Sequence, residues 1–162
     1  MQPDGTMITM TRGIDYTGVS IVYCCHDGAG RILMAQRSVR ARDEQGRWDI
    51  GAGALEFGET AATTLQREIF EEYCTTMLSH QFLGFRDALR THEGRPTHWV
   101  ALDFAVRVDA TVARIGEPHK FDAMGWFTID TTPAPLHSLL PAFFEKYRDA
   151  LSRILAPERA FA

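Results

Sequence analysis

Cysteine is scarce in this chain. Three occur in 162 residues, and Cys24 and Cys25 are sequence neighbours, so the disulfide framework of a small secreted domain is excluded. Reduced, mostly buried thiols are expected. Excess positive charge is missing as well: 17 Lys and Arg stand against 21 Asp and Glu, a formal net charge of -4. That balance excludes the broad basic surface that a polymeric nucleic acid or an anionic membrane demands. No run approaches about eighteen apolar residues. The opening stretch MQPDGTMITMTRGIDYTG has neither the basic start nor the apolar centre of a secretion signal, and a cytoplasmic location is expected. Internal repeats and low-complexity segments are also missing, which rules out solenoids and long linkers.

What is present suits one compact domain over 1–162, with 45% hydrophobic and 23% charged residues and enough length to bury about two-thirds of the unfolded surface. Residues 1–15 carry no clear element and are expected to lack order. Val19 to Tyr23 and Ile32 to Ala35 read as strands joined by the turn residues Asp27-Gly28-Ala29-Gly30. The polar stretch 38–47 reads as a mobile loop, either simply solvated or lying over a ligand, and a short strand at Trp48 follows. Leu78 to Asp87 and Thr97 to Val108 read as strands with a loop over 91–96 between them. In the second of these, His98, Val100, Leu102, Phe104, Val106 and Val108 share a core face, and Trp99, Asp103 and Arg107 a mixed one. After a loop over 110–119, Trp126 to Ile129 reads as a short strand. Residues 138–155 form an apolar helical stripe capped by Ser138, with Pro141 tolerated in the first turn. A mixed sheet between helices follows from this order.

The densest signal lies between Gly53 and Thr75, GALEFGETAATTLQREIFEEYCT. Thr60 can cap a helix running to Tyr73, and Ala61, Leu65 and Ile69 recur at a spacing of four along its buried face. Glu68 and Glu72 lie one turn apart on another face, with Glu71 beside them. Together with Glu59 they crowd four carboxylates around the single Arg67, and the expected neutraliser is a hard divalent cation, Mg2+ or Mn2+, with a phosphate behind it. A solvated acidic helix face is the plain alternative. The offsets of Gly53, Glu59 and Arg67 weigh against it. His92, His98 and His119 show no zinc spacing with the cysteines, and Cys74 has no evident histidine partner, so a helix-end packing role is expected for it. Trp48, Trp99 and Trp126 read as packing residues first and stacking platforms second, with Trp99 placed to flank a ligand.

The segment resembles the Nudix box, G-x5-E-x7-R-E-U-x-E-E-x-G-U with U aliphatic: Gly53, Glu59, Arg67, Glu68, Ile69, Glu71 and Glu72 match residue for residue. Cys74 replaces the box glycine and Thr75 the final aliphatic residue. Six fixed letters at ordinary residue frequencies match by chance about once in ten million start positions. The missing glycine falls where a left-handed helix end is usual, so Cys74 is expected to cost about 1 kcal/mol or redirect the chain.

The resemblance implies an α/β (α+β) fold, a Nudix-like α/β/α sandwich, and hydrolysis of a nucleoside diphosphate linked to another group. It implies Mg2+, or Mn2+, held by Glu68, Glu71, Glu72 and the carbonyl of Ala52. Glu59 and Arg67 brace the glutamates, and a glutamate or another carboxylate accepts a proton from the attacking water. Gly53, Trp99, Glu117 and Trp126 are the candidate substrate contacts. Glu117 lies in Gly116-Glu117-Pro118-His119-Lys120, which is similar to a Glu-Pro-x-Lys stretch of relatives acting on nucleoside triphosphates; a surface turn is the equal alternative. The proline that marks many ADP-ribose hydrolases is absent, with Arg90 and Thr91 at its place, and so is the Ser-Gln-Pro-Trp-Pro-Phe stretch of NADH hydrolases. The resemblance therefore points to a MutT-like enzyme that converts a nucleoside triphosphate, such as an oxidised or other non-standard one, to the monophosphate and pyrophosphate. Hydrolysis of an ADP-sugar or other nucleoside diphosphate derivative is the alternative enzyme reading, and a non-catalytic nucleotide-binding regulator the alternative of another class. A small-molecule nucleotide partner and a homodimer are carried over from relatives.

Overall fold

The computed structural model describes residues 9–156. Its strands are β1 (Gly18–His26), β2 (Ile32–Arg37), β3 (Trp48–Asp49), β4 (Gly51–Ala54), β5 (Met77–His92), β6 (Arg95–Val108) and β7 (Phe121–Phe127), and its helices are α1 (Ala61–Tyr73) and α2 (Leu140–Ile154). A 3-10 turn, Ile129–Thr131, follows β7. β1 runs parallel to β6, and the other pairings between these strands are antiparallel. The sheet is thus mixed and lies between the two helices, the α/β sandwich expected from the sequence.

The sheet divides in the middle, and this division makes the site. The Asp27 turn forms as expected, with Asp27 Oδ1 accepting from Ala29 N and Arg31 N. The two strands it joins meet only at His26 and Ile32. Beyond that point they separate: β4 pairs with β1 over Ser20 to Tyr23, whereas β3 and β7 pair with β2. Ile50 alone carries the chain across from one half to the other.

Both faces are covered, so the central strands alternate between two cores rather than between core and solvent. Ile21, Tyr23 and Cys25 of β1 join Leu65, Ile69 and Tyr73 of α1. Cys24 joins Phe143, Tyr147 and Leu151 of α2. The same arrangement corrects the expected mixed face of β6. Ala101, Asp103 and Ala105 are buried: Ala105 joins the core under α2, Asp103 meets Tyr147 of α2, and Ala101 lies at the floor of a cavity. Asp103 is fully buried and satisfied: Arg86 donates to both carboxylate oxygens at 2.7 and 2.8 Å, and the Tyr147 hydroxyl donates at 2.8 Å.

Three further expectations are corrected. The stretch 91–96 is not a loop, since Thr91 pairs with Pro96 and His92 with Arg95. The turn is only Glu93-Gly94, both at positive φ, which suits a tight hairpin. Pro96 is tolerated because β1 reaches β6 only from Trp99 onward, leaving no ladder partner for a missing N–H. Ser138 does not cap α2. The cap position is Leu139, and the Ser138 hydroxyl donates instead to Glu44 at 2.5 Å. The last strand starts earlier than expected, at Phe121, and ends at Phe127.

Of the segment expected to lack order, residues 1–8 lie outside the described residues. Arg12 donates to Leu55 O and pairs with Glu56, and Gly13 O accepts from His98 N. The polar loop 38–47 is pinned by Asp43 to Arg37 and Arg90, and by Glu44 to Arg90. Among the described residues no helix is long and apolar enough to cross a membrane.

Candidate active site

α1 starts where the sequence predicts: the Thr60 side chain accepts from Thr63 N at 3.2 Å. It ends at Cys74, which takes the left-handed conformation (φ 49°, ψ 31°) and donates its N–H to Phe70 O. The non-glycine exit therefore keeps the turn rather than redirecting the chain. Thr75, in the place of an aliphatic residue, is buried, and its hydroxyl donates to Asp109 O at 2.6 Å.

One guanidinium organises the glutamates. Arg67 grips Glu59 with two hydrogen bonds of 2.9 and 3.0 Å and donates to Glu68 at 2.7 Å. Glu71 lies 3.4 Å away on the exposed side of α1. Thr64 also donates to Glu59. With Arg67's hydrogen bonds foremost, the Glu59 carboxyl is pushed down to about 2, and Arg67 itself is held more firmly protonated. Gly53 makes the room: a methyl there would sit 2.1 Å from Glu68 Cδ.

Glu68 and Glu72 are buried, at 8% and 4% exposure. Burial raises the Glu68 carboxyl, against the opposing pull of Arg67, and the Glu72 carboxyl, against that of Tyr23 and Lys120. The Tyr23 hydroxyl donates to Glu72 Oε2 at 2.5 Å, and Lys120 Nζ lies 3.8 Å from Oε1. A bound cation would offset the cost of desolvating these carboxylates in their charged form. Their hard oxygen donors, beside Gly53 and Ala52, suit Mg2+ or Mn2+. Among the described residues no three acidic, histidine or cysteine side chains already converge as a ready-made cation cage. Glu71 in particular faces Arg67 and solvent.

The loop before β7 is fastened to the end of α1. Arg114 N donates to Tyr73 O and Gly116 N to Glu72 O, and the approach is so close that a methyl at Gly116 would meet Glu71 O at 2.0 Å. This docking brings Glu117 and Lys120 beside Glu72, with Lys120 Nζ 2.7 Å from Glu117 Oε2.

A cavity of about 560 Å³ opens next to Glu72. Ala52, Gly53, Trp99 and Lys120 line it, together with Asp49, Arg86, Arg90 and His137. Trp99 also lies against Gly13 and Gly18, where an added methyl would strike its ring, so it packs and borders the cavity at once. Trp126 packs against the α1 core and Trp48 against Phe127; neither lines the cavity. Asp49, its carboxyl pushed up to about 7 by burial, lies 3.8 Å from both Arg37 and His137. Sequence reasoning missed Tyr23, Asp49, Arg86 and Lys120. The alternation of β1 held a signal for Tyr23, and the Glu117 stretch held one for Lys120. Asp49 and Arg86 gave none, because their partners are distant in sequence.

The class is the one the box predicts: the chain belongs to the Nudix family, whose NUDIX domain matches residues 16–147. More particularly, it is similar to an RNA pyrophosphohydrolase of Acidiphilium cryptum (strain JF-5), 29% identical over 101 residues, which is 62% of this chain and 52% of that protein. The chain thus spans about half the length of that curated relative. Among solved structures, the MutT NUDIX hydrolase from Burkholderia pseudomallei has a TM-score of 0.71 and 26% identity, over 81% of this chain and 98% of that one. The MutT protein from Methanosarcina mazei Go1 shares the fold, with a TM-score of 0.69 and 21% identity over 82% and 93% of the two chains.

Proposed function

We propose that the chain is a Mg2+-dependent hydrolase that cleaves a nucleoside triphosphate, such as an oxidised or other non-standard one, to the monophosphate and pyrophosphate. The observation that carries this reading is the junction of two features: desolvated Glu72 lines a cavity of about 560 Å³, and desolvated Glu68, braced by Arg67, lies one helical turn behind it; the volume suits a nucleoside. Glu68, Glu72 and the carbonyl of Ala52 would hold the ion, with Glu71 recruited from the exposed side. When bound, Mg2+ supplies neutralisation of the phosphoryl oxygens and lowers the pKa of a bound water.

The chain's own residues supply the rest. A buried carboxylate accepts a proton from the water whose oxygen forms the new bond to phosphorus, and the anhydride P–O bond breaks with its electron pair leaving on pyrophosphate. Arg67 holds the glutamate that Gly53 admits. Trp99 offers a face for the base, and Asp49 and Arg90 offer hydrogen bonds to its edge or to the sugar. The relative from Acidiphilium cryptum is named for RNA; the net charge of -4 gives this chain no broad basic surface for a polymer, which favours a free nucleotide in the cytoplasm.

A nucleotide panel with Mg2+, with the products identified, tests this reading. Release of pyrophosphate is expected from the wild type and is expected to collapse in Glu72→Gln. Equal background from both proteins refutes a hydrolase and leaves a binding regulator. Release of two monophosphates from an ADP-sugar moves the assignment to the diphosphate-derivative class. Light scattering checks the homodimer, which a monomer refutes.

A further inference from the structure

We propose that the Lys120 ammonium is an exchangeable counter-ion of the glutamate cluster: it neutralises Glu72 and Glu117 when no metal ion is bound, and binds the substrate's phosphates when one is. This rests on the metal-site reading above.

The geometry is specific. Lys120 Nζ lies 2.7 Å from Glu117 Oε2 and 3.8 Å from Glu72 Oε1, between a carboxylate of the loop and one of the helix. Glu117 Oε2 is sealed from solvent, with the ammonium as its counter-charge. The contact to Glu72 is longer than a hydrogen bond, so the ammonium is held there by charge more than by a directed bond. Removing it would leave two buried or half-buried carboxylates facing each other, a costly arrangement.

The backbone that carries this group is fixed. Lys120 N donates to Glu117 O, Lys120 O accepts from Ser38 N, and the Ser38 hydroxyl fastens the neighbouring His119 O at 2.6 Å. The pivot is therefore rigid, while the four-carbon stem is 42% exposed and free to swing. Lys120 also lines the cavity next to Ala52, Gly53 and Glu72. A divalent cation at Glu72 would compete with the ammonium for the same oxygens. Once displaced, the ammonium remains at the cavity wall, within reach of a phosphate chain. Arg67 is unsuited to this exchange, because three carboxylates hold its fork.

The test measures Mn2+ binding to metal-free protein without nucleotide, by electron paramagnetic resonance of the free ion, in wild type, Lys120→Gln, Lys120→Arg and Glu72→Gln. Lys120→Gln is expected to bind Mn2+ about tenfold more tightly, about 1.4 kcal/mol, and Lys120→Arg within about twofold of wild type. With saturating metal and the nucleotide found by the panel, Lys120→Gln is expected to raise KM more than it lowers kcat. Unchanged or weaker Mn2+ binding by a folded Lys120→Gln, with binding lost in Glu72→Gln, overturns the counter-ion role and leaves the metal site standing. Unchanged binding in Glu72→Gln overturns the metal site itself. An unaltered KM overturns the phosphate contact. Lys120 is well exposed, so a melting curve suffices to show that its variants fold.

Discussion

Gly53→Ala separates the need for a working site from the need for a fold. The new methyl would lie 2.1 Å from Glu68 Cδ, 2.4 Å from Oε1 and 2.5 Å from Cγ. Ordinary carbon contacts are 3.5 Å or more, so Glu68 must retreat by at least about 1.4 Å. A carboxylate at the end of a flexible stem can do this, at the expense of its 2.7 Å hydrogen bond from Arg67. A charge-assisted bond is worth about 1.5–3 kcal/mol; with Arg67 31% exposed, solvent screening brings the expected loss to about 1 kcal/mol. That corresponds to a drop in melting temperature of about 2–4 °C. A displacement of more than 1 Å in a group that must hold its place costs about a hundredfold in rate.

Gly51→Ala is the matched control. Its methyl would lie 1.7 Å from Tyr23 Cε2, and Tyr23 is a fully buried ring that cannot swing aside, so overpacking is expected to cost about 3 kcal/mol or more. Steady-state pyrophosphate release and thermal melts on both variants read the two effects. The expected pattern is a small melting shift with a hundredfold loss of kcat/KM for Gly53→Ala, and a large melting shift for Gly51→Ala. Wild-type kcat/KM in Gly53→Ala, or equal destabilisation by the two substitutions, refutes the claim that Gly53 exists to admit Glu68.

Arg86→Met leaves Asp103 fully buried with Tyr147 as its remaining partner; the expected loss is about 3–5 kcal/mol by urea denaturation, part of which Arg86→Met/Asp103→Leu should restore, and a loss below 1 kcal/mol counts against the buried pair. Asp49→Asn changes the pH dependence of stability. The folded carboxyl is pushed up to about 7 from 3.8, so between those values the folded chain keeps a proton that the unfolded chain releases, and wild-type stability falls as pH rises, by about 1.4 kcal/mol per unit. The asparagine keeps the acceptor for Ile50 N and lacks this loss, so the melting difference between Asp49→Asn and wild type should move in the variant's favour from pH 5 to pH 8; a constant difference refutes the buried ionisation. His137, pushed down to about 4 by burial, acts in the opposite direction, losing stability as pH falls from about 6.5 to 4.

The parts legible in the sequence are those whose partners are near in the chain. Thr60 and Thr63, Glu59 and Arg67, and Glu68 and Glu72 interact across eight residues or fewer, and their offsets alone place them. The parts that were illegible depend on partners brought up by the sheet. Asp103 read as a polar position on a mixed face because Arg86 sits on the neighbouring strand and Tyr147 on α2. Ser138 read as a cap because nothing local revealed Glu44, 94 positions away. Pro96 and Gly94 read as a loop because the tolerance for proline depends on where β1 stops pairing with β6.

The same distinction explains why the box defines a reaction more sharply than a substrate. Glu68, Glu71 and Glu72 sit on α1 and Glu59 just before it, and Glu72 lines the cavity where β1 and β2 part, so one local segment fixes their arrangement. The cavity walls come from β3 (Asp49), β5 (Arg86, Arg90), β6 (Trp99) and the turn before α2 (His137), and each wall residue is held by a partner far off in the chain. Any one of these can change without disturbing α1. Discrimination among nucleotides should therefore follow substitutions at Asp49, Arg90 and Trp99 through KM, while kcat continues to follow the five charged residues of the box.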